Sequence, residues 1–253
     1  MSNEGKYLYA IIKEHRSREF GRIGIGDRND EVYTICHKDL SCIVSNSPLR
    51  KYPVNRENCQ AHQKVLEKAM EEYTILPIRY GVIATDLDLV SEKLLMENYE
   101  MLTEQLDRIK GKIELGLKVI WKEMPAVYQE LVSENEELRK FRDAIKETAT
   151  QDQRMRLGKM VEVALQSKKE SEQEMILTPL KKISTDSKDN FLMGEWMVIN
   201  SVFLVDESKM EEFDRKVDQL AKKNDDRTKF KYFGPVPPYN FVNVPVHLLE
   251  DKN

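Results

Sequence analysis

The sequence contains two successive series of short β-prone segments and amphipathic helices, and the boundary between the two series lies near Gly111. In the first series, Tyr7–Ile12, Val32–His37 and Ser41–Ser45 are rich in the β-branched and aromatic residues that favour strands. Only three residues separate the second segment from the third, so this pair is predicted to form a hairpin. A length of 253 residues allows one large domain or two ordinary ones, and the repeated series favours two.

Helical periodicity follows the strands of the first series. Apolar residues recur at helical spacing around Val65 and again over Asp86–Lys110, which is predicted as one long helix. Gly111 ends this helix at the C-terminal position that favours glycine. Between the two helices, Leu76–Ile83 is predicted to be extended because Pro77 cannot lie inside a helix.

The second series begins with Lys112–Trp121, whose apolar residues alternate with a period of two and therefore predict a strand. Pro125 then opens a helix, and a second helix runs from about Gln151 past Leu165. These two are expected to form an antiparallel helical hairpin. The later elements are predicted as two strands, a helix and a last strand, over Phe191–Val205, Lys209–Lys223 and Thr228–Phe233.

Each series follows the order of a ferredoxin-like, or split βαβ, domain, in which helices cover one face of an antiparallel sheet. In the first series a glycine loop at 21–26 replaces the first helix, whereas in the second series the hairpin replaces it. The predicted fold class is therefore α+β, with two ferredoxin-like domains over residues 1–110 and 111–253. The second domain carries the long helical hairpin and ends in a tail rich in proline and aromatic residues.

The composition is that of a water-soluble globular chain, with 40% hydrophobic and 33% charged residues and a mean hydropathy of −0.59. A formal net charge of −4 disfavours broad binding to nucleic acids. Neither a signal peptide nor a stretch of about 20 apolar residues is present. The three cysteines, Cys36, Cys42 and Cys59, are too few for a secreted disulfide framework, so a cytoplasmic location is expected.

Residues with catalytic or metal-binding chemistry do not form a recognisable motif. Cys36 and His37 have the residue types of a zinc site, but their spacing is wrong for one. The glycines of residues 21–26 lack the order of a phosphate-binding loop, and His62 has no nucleophile at a diagnostic spacing. We therefore expect no catalytic residue, no metal, no cofactor and no enzymatic activity.

Two stretches are candidates for contact with a partner. Arg79 stands in the apolar run Leu76–Gly81, where it must either form an ion pair or line a contact surface. The proline-rich stretch Tyr232–Val242 is either a lid over the sheet or an aromatic docking strip for another protein. The candidate partner-binding residues are Arg79, Tyr80, Tyr232, Phe233, Pro237, Pro238, Tyr239 and Phe241.

The same stretches resemble the gas vesicle protein F/L family (GvpF/GvpL). The resemblance spans nearly the whole chain, and its last block is the most specific. The blocks that carry it are Lys6–Ile11, Ser41–Ser45, His62–Glu67, Leu76–Gly81, Gly116–Trp121 and Phe230–Phe241.

This resemblance implies a minor, non-enzymatic component that acts in gas vesicle assembly in the cytoplasm. Its implied partners are the hydrophobic, GvpA-like gas vesicle shell protein, whose aggregation it would limit during nucleation, and other accessory gas vesicle proteins. Nucleic acids and lipid membranes are not expected as partners. The alternative is a ferredoxin-like module that binds a small molecule or RNA, although Lys231–Pro235 does not match the aromatic RNA-binding motif.

Overall fold

The structure is a computed structural model that describes residues 4–145 and 149–246. It has a mixed α/β fold with two sheets, and it forms two compact units. The described residues up to Glu114 and those from Pro235 onward form unit 1, and Leu115–Gly234 forms unit 2. The domain boundaries of 1–110 and 111–253 remain a prediction. The tail from Pro235 onward, which that prediction assigns to the second domain, belongs to unit 1.

The sheet of unit 1 is built around β1, whose residues Tyr7–Ile12 are all inaccessible to solvent. A strand that is buried on both faces reads as a continuous apolar run, which is the pattern of this segment. The strand order is β2-β3-β4-β1-β5, and β6 also pairs with β1. The strands are β1 (Glu4–Lys13), β2 (Glu19–Gly21), β3 (Val32–His37), β4 (Leu40–Pro48), β5 (Ile75–Pro77) and β6 (Ile83–Ala84).

Two regular helices of unit 1 are α1 (Arg56–Met70) and α2 (Tyr99–Ile109). The prediction of one long helix over Asp86–Lys110 is wrong, because a π-helical segment, Leu89–Met96, ends before α2 begins. The side-chain amide of Asn98 donates to the carbonyls of the preceding turn and interrupts the helix there.

The second sheet has the strand order β10-β7-β9-β8, which places β10 and β8 at its edges. The prediction of two strands within Phe191–Val205 is wrong. Residues 190–196 form a loop, and the strand that follows runs unbroken past Asn200. The strands are β7 (Lys112–Trp121), β8 (Asp186–Asp189), β9 (Met197–Asp206) and β10 (Thr228–Val236).

The long helical region of unit 2 consists of α3 (Met124–Glu134) and α4 (Glu136–Ala144) packed against α5 (Gln151–Lys181). Asn135 separates the first two helices and caps the second, because its side chain accepts a hydrogen bond from the N–H of Leu138 at 2.9 Å. With 31 residues, α5 is about 46 Å long.

The last helix, α6 (Met210–Lys223), packs on the second sheet through aromatic rings. The rings of Phe203 and Phe213 are 5.1 Å apart, and Tyr232 on β10 stacks on Phe213 at 6.1 Å. The next residue, Phe233, lies against the backbone of Gly116 on β7, where an added Cβ would be 2.1 Å from the ring. The sheet therefore requires glycine at this point.

We expect Gly116→Ala to lower the free energy of unfolding of unit 2 by ~1–3 kcal/mol, because the new methyl group overlaps the Phe233 ring. Urea denaturation followed by tryptophan fluorescence measures the effect, since Trp121 and Trp196 both belong to unit 2.

Gly158 on α5 provides the control, because a Cβ added there meets no atom within 4 Å. Gly158→Ala is expected to raise the stability by ~0.5–1 kcal/mol through its better helix propensity. In a Phe233→Ala background, Gly116→Ala should cost much less. An equal cost in both backgrounds would show that the ring contact is not responsible.

Candidate partner-binding surface

The predicted partner-binding residues include buried, half-buried and exposed side chains. Pro237 and Pro238 are buried, and Phe241 is only 2% exposed. By contrast, Arg79 is exposed and Phe233 is 42% exposed. The structure therefore brings only part of the predicted set to the surface.

Residues 237–243, here called the C-terminal strap, are held against unit 1 by hydrogen bonds. Asn240 donates its backbone N–H and its side-chain amide to the buried carboxylate of Glu114, at 3.0 and 2.6 Å. The guanidinium of Arg108 donates to the carbonyl of Phe241. These contacts fix the strap to unit 1, where three of its seven residues are buried.

A second attachment joins the strap to the middle of the sheet through His62 on α1. One ring nitrogen of His62 lies 3.0 Å from the hydroxyl of Tyr239, and the other lies 3.0 Å from the hydroxyl of Tyr7. The Tyr7 hydroxyl also accepts a hydrogen bond from the N–H of Gly81 at 2.9 Å. His62 therefore bridges a strap tyrosine and a tyrosine of the central strand.

Aromatic rings enclose this bridge. The His62 ring lies 5.7 Å from Tyr7, 5.5 Å from Tyr9 and 5.8 Å from Tyr80. Burial lowers the pKa of His62 from 6.5 to about 4, although a hydrogen bond with the backbone of Ile78 opposes the shift. Burial also raises the pKa of Tyr7 far above its usual range. At neutral pH His62 and Tyr7 are therefore uncharged.

Arg79 and Tyr80 stand beside this cluster, directly after the buried Ile78. The side chain of Arg79 forms no ion pair with any residue that the structure describes, so its guanidinium is open to contact. The half-buried Tyr80 donates its hydroxyl to the carbonyl of Pro53 at 2.8 Å. The role of Arg79 in a contact surface stays a prediction.

Tyr232 and Phe233 lie in unit 2, in a different unit from the strap. Tyr232 is half-buried and donates its hydroxyl to Asp214 at 2.6 Å, which fixes α6 to β10. Phe233 covers Gly116 and exposes the rest of its ring, over which lies the ammonium of Lys118 at 6.0 Å.

Sequence reasoning missed the most exposed apolar residues of unit 2. The two most exposed are Phe191 at 86% and Met193 at 64%, which lie in residues 190–196, here called the β8–β9 loop. Trp196 of the same loop is 43% exposed. The run Phe191–Met193 suggests a buried strand, so its apolar character concealed the loop. The available signal was Gly194, whose φ of +80° is a turn conformation that glycine adopts readily.

Within residues 4–145 and 149–246, no three His, Cys, Asp or Glu side chains are grouped in a way that would hold a metal ion. The same residues include no helix with both the length and the apolar character needed to cross a membrane.

His62 predicts a specific dependence of stability on pH. Its folded-state pKa of about 4 lies below the usual value of 6.5, so the unfolded chain binds the proton more tightly. Stability must therefore fall as the pH falls through this window, and between pH 7 and pH 5 the loss from His62 is about 2 kcal/mol. Urea denaturation followed by circular dichroism at the two pH values measures it.

The variant His62→Phe should lose this part of the pH dependence while it keeps a ring in the cluster. The exposed His15, whose side chain is 64% accessible, is the control, and His15→Gln should behave like the unsubstituted chain. The same pH dependence in His62→Phe and in the unsubstituted chain would contradict the assignment.

Comparison with known proteins shows what the chain resembles as a whole. The family model "Gas vesicle synthesis protein GvpL/GvpF" matches residues 5–243. Gas vesicle protein F of a Streptomyces species is 31% identical over 239 residues, which cover 93% of this chain and 98% of the relative. Gas vesicle protein F of a Nostoc species is 26% identical over 245 residues, which cover 96% of this chain and 99% of the relative.

The fold agrees with this match. The crystal structure of the gas vesicle protein GvpF from Anabaena has a TM-score of 0.86 and 26% identity, and the match covers 95% of this chain and 99% of that one. The resemblance deduced from the sequence is thereby confirmed. Because the family model matches nearly the whole chain, the chain belongs to the GvpL/GvpF family of gas vesicle synthesis proteins.

Proposed function

We propose that this chain is a gas vesicle assembly factor that binds the hydrophobic, GvpA-like shell protein and limits its aggregation while vesicles nucleate. The observation that carries the proposal is the set of large apolar side chains that a member of this family leaves in solvent. Residues that serve only stability are normally covered, whereas a group of exposed apolar side chains marks a contact surface. The most exposed of them are Phe191, Val54, Met193, Met155, Met175 and Val163.

The chemistry of such a shell protein explains why it needs a partner. A subunit with an apolar gas-facing surface and open strand edges associates with itself before it reaches the growing vesicle. Three of the exposed side chains, Met155, Met175 and Met193, are methionines. Because methionine is flexible and polarisable, it can adapt to an irregular apolar surface.

The predicted contact residues contribute in two ways under this proposal. Arg79, Tyr80 and Phe233 have exposed surface and would touch a partner directly. The other five would hold their neighbours in place. They are Tyr232, Pro237, Pro238, Tyr239 and Phe241.

We further propose that both sheets have a ferredoxin-like arrangement. The strand order β10-β7-β9-β8 supports a ferredoxin-like arrangement of the second sheet, and the order β5-β1-β4-β3 within the first sheet supports a degenerate one.

We also propose that the chain acts in the cytoplasm and at the gas vesicle without enzymatic activity. Other accessory gas vesicle proteins would be further partners, and the net charge of −4 argues against the alternative role in RNA binding.

Co-expression with the shell protein tests the proposed function. With the tagged full-length chain present, we expect a several-fold larger share of the shell protein to stay in the supernatant after centrifugation and to co-purify on the tag. An unrelated tagged protein of similar size is the control. Equal sedimentation of the shell protein with this chain and with the control would contradict the proposal.

A further inference from the structure

A small pocket lies beside the β8–β9 loop at the edge of unit 2. Its volume is about 130 Å³, which is the size of one aliphatic side chain, and its apolar walls are Leu177, Leu192 and Ile199. The exposed Phe191 and Met193 belong to the same loop as Leu192. The exposed apolar side chains of the loop and a pocket for one side chain therefore lie next to each other.

Four of the five polar side chains that line this pocket are hydrogen-bonded within the chain, namely those of Gln173, Asp189, Asn200 and Ser201. Gln173 donates to the carbonyl of Val198 at 2.7 Å, and the hydroxyl of Ser201 donates to Asp189 at 2.6 Å. The amide of Asn200 donates to a carbonyl of the loop. An apolar side chain can therefore enter without depriving these groups of partners, a loss that would otherwise oppose its burial.

The loop that presents the apolar side chains is held in one conformation. The N–H of Asn190 donates to the carbonyl of Asn200 at 2.7 Å, and the amide of Asn200 donates to the carbonyl of Phe191 at 2.8 Å. The N–H of Met193 lies 3.3 Å from the sulfur of Met197. Because the loop is ordered before any partner arrives, binding incurs little further loss of conformational entropy.

The neighbouring edge strand, β8, is less suited to strand addition. It has only four residues, and the N–H of Ser187 donates to the carboxylate of Asp186 at 2.8 Å instead of remaining open. Short, charged edges of this kind discourage pairing with another strand. Contact at this edge must therefore depend on the side chains of the loop and on the pocket.

The charges around the surface restrict what can cover it. The segment 186–196 has three acidic residues and one lysine, and Asp186 and Glu195 lie near its two ends. A second copy of the chain would bring this net acidic segment against itself, and an anionic lipid surface would repel it. The charge therefore favours a protein whose contact face is apolar and has a basic or uncharged rim.

We propose that the β8–β9 loop and its pocket form a docking surface for the apolar face of a partner protein, one aliphatic side chain of which enters the pocket. The identity of this partner as the shell protein rests on the proposed function.

The test compares two double variants with the unsubstituted chain in the co-expression experiment. Phe191→Ser with Met193→Ser removes the apolar side chains of the loop, which are 86% and 64% exposed. Leu87→Ser with Met96→Ser is the matched control, since those side chains are 49% and 48% exposed elsewhere on the chain. All four positions are exposed, so both variants should show the circular dichroism spectrum of the unsubstituted chain.

We expect the loop variant to retain at least ten-fold less shell protein than the unsubstituted chain, while the control variant retains a normal amount. Equal retention by both variants would overturn the docking surface and leave the proposed function standing. Failure of the unsubstituted chain to retain any shell protein would overturn both.

Two further measurements test whether a second copy of the chain or a lipid surface occupies the docking surface instead. In sedimentation equilibrium, a dimer that the loop variant fails to form would identify a second copy as the occupant and overturn the proposal. The second measurement is sedimentation with vesicles of phosphatidylcholine and phosphatidylglycerol. If the unsubstituted chain sediments with the vesicles and the loop variant does not, a lipid surface is the occupant and the proposal is overturned. We expect a monomer and no vesicle binding.

Discussion

A tyrosine in the middle of a buried sheet must find a partner for its hydroxyl group, and unit 1 is organised around this requirement. Tyr7 and Tyr9 are both inaccessible to solvent on the central strand, and an unpaired hydroxyl there would cost ~1–3 kcal/mol. Tyr9 is satisfied within the sheet by Ser45 at 2.9 Å, but Tyr7 depends on His62 and Gly81. His62 in turn engages Tyr239, so the C-terminal strap completes a polar cluster that begins on β1.

The two units therefore use their aromatic residues differently. In unit 1, the strap turns a proline-rich aromatic segment inward, where Phe241 is buried and the prolines are covered. In unit 2, Phe203 and Phe213 are buried in the core and Tyr232 stacks on Phe213, whereas the β8–β9 loop leaves Phe191, Met193 and Trp196 exposed. Apolar side chains that stay exposed to solvent contribute little to the stability of the fold. Contact with a partner is therefore the better explanation for the exposed apolar side chains of this loop.

Local patterns in the sequence were sufficient to predict the strands and helices whose apolar residues recur with a clear period. The alternation of Lys112–Trp121 predicted β7 with its observed bounds, and the prediction over Lys209–Lys223 differs from α6 by one residue. The polar β8 has no apolar alternation, so its pairing with β9 could not be predicted. The burial of the strap depends on side chains more than one hundred residues away in the sequence, such as Glu114 and His62, and for this reason the lid and the docking strip could not be distinguished.

We propose that the chain acts by covering an apolar partner with the β8–β9 loop. Hydrogen–deuterium exchange of the complex with the shell protein, compared with the free chain, tests it most directly. Amides of residues 190–196 should exchange more slowly in the complex, while those of the strap at 237–243 stay unchanged. Protection confined to the strap, or no change at the loop, would show that the loop does not bind the partner.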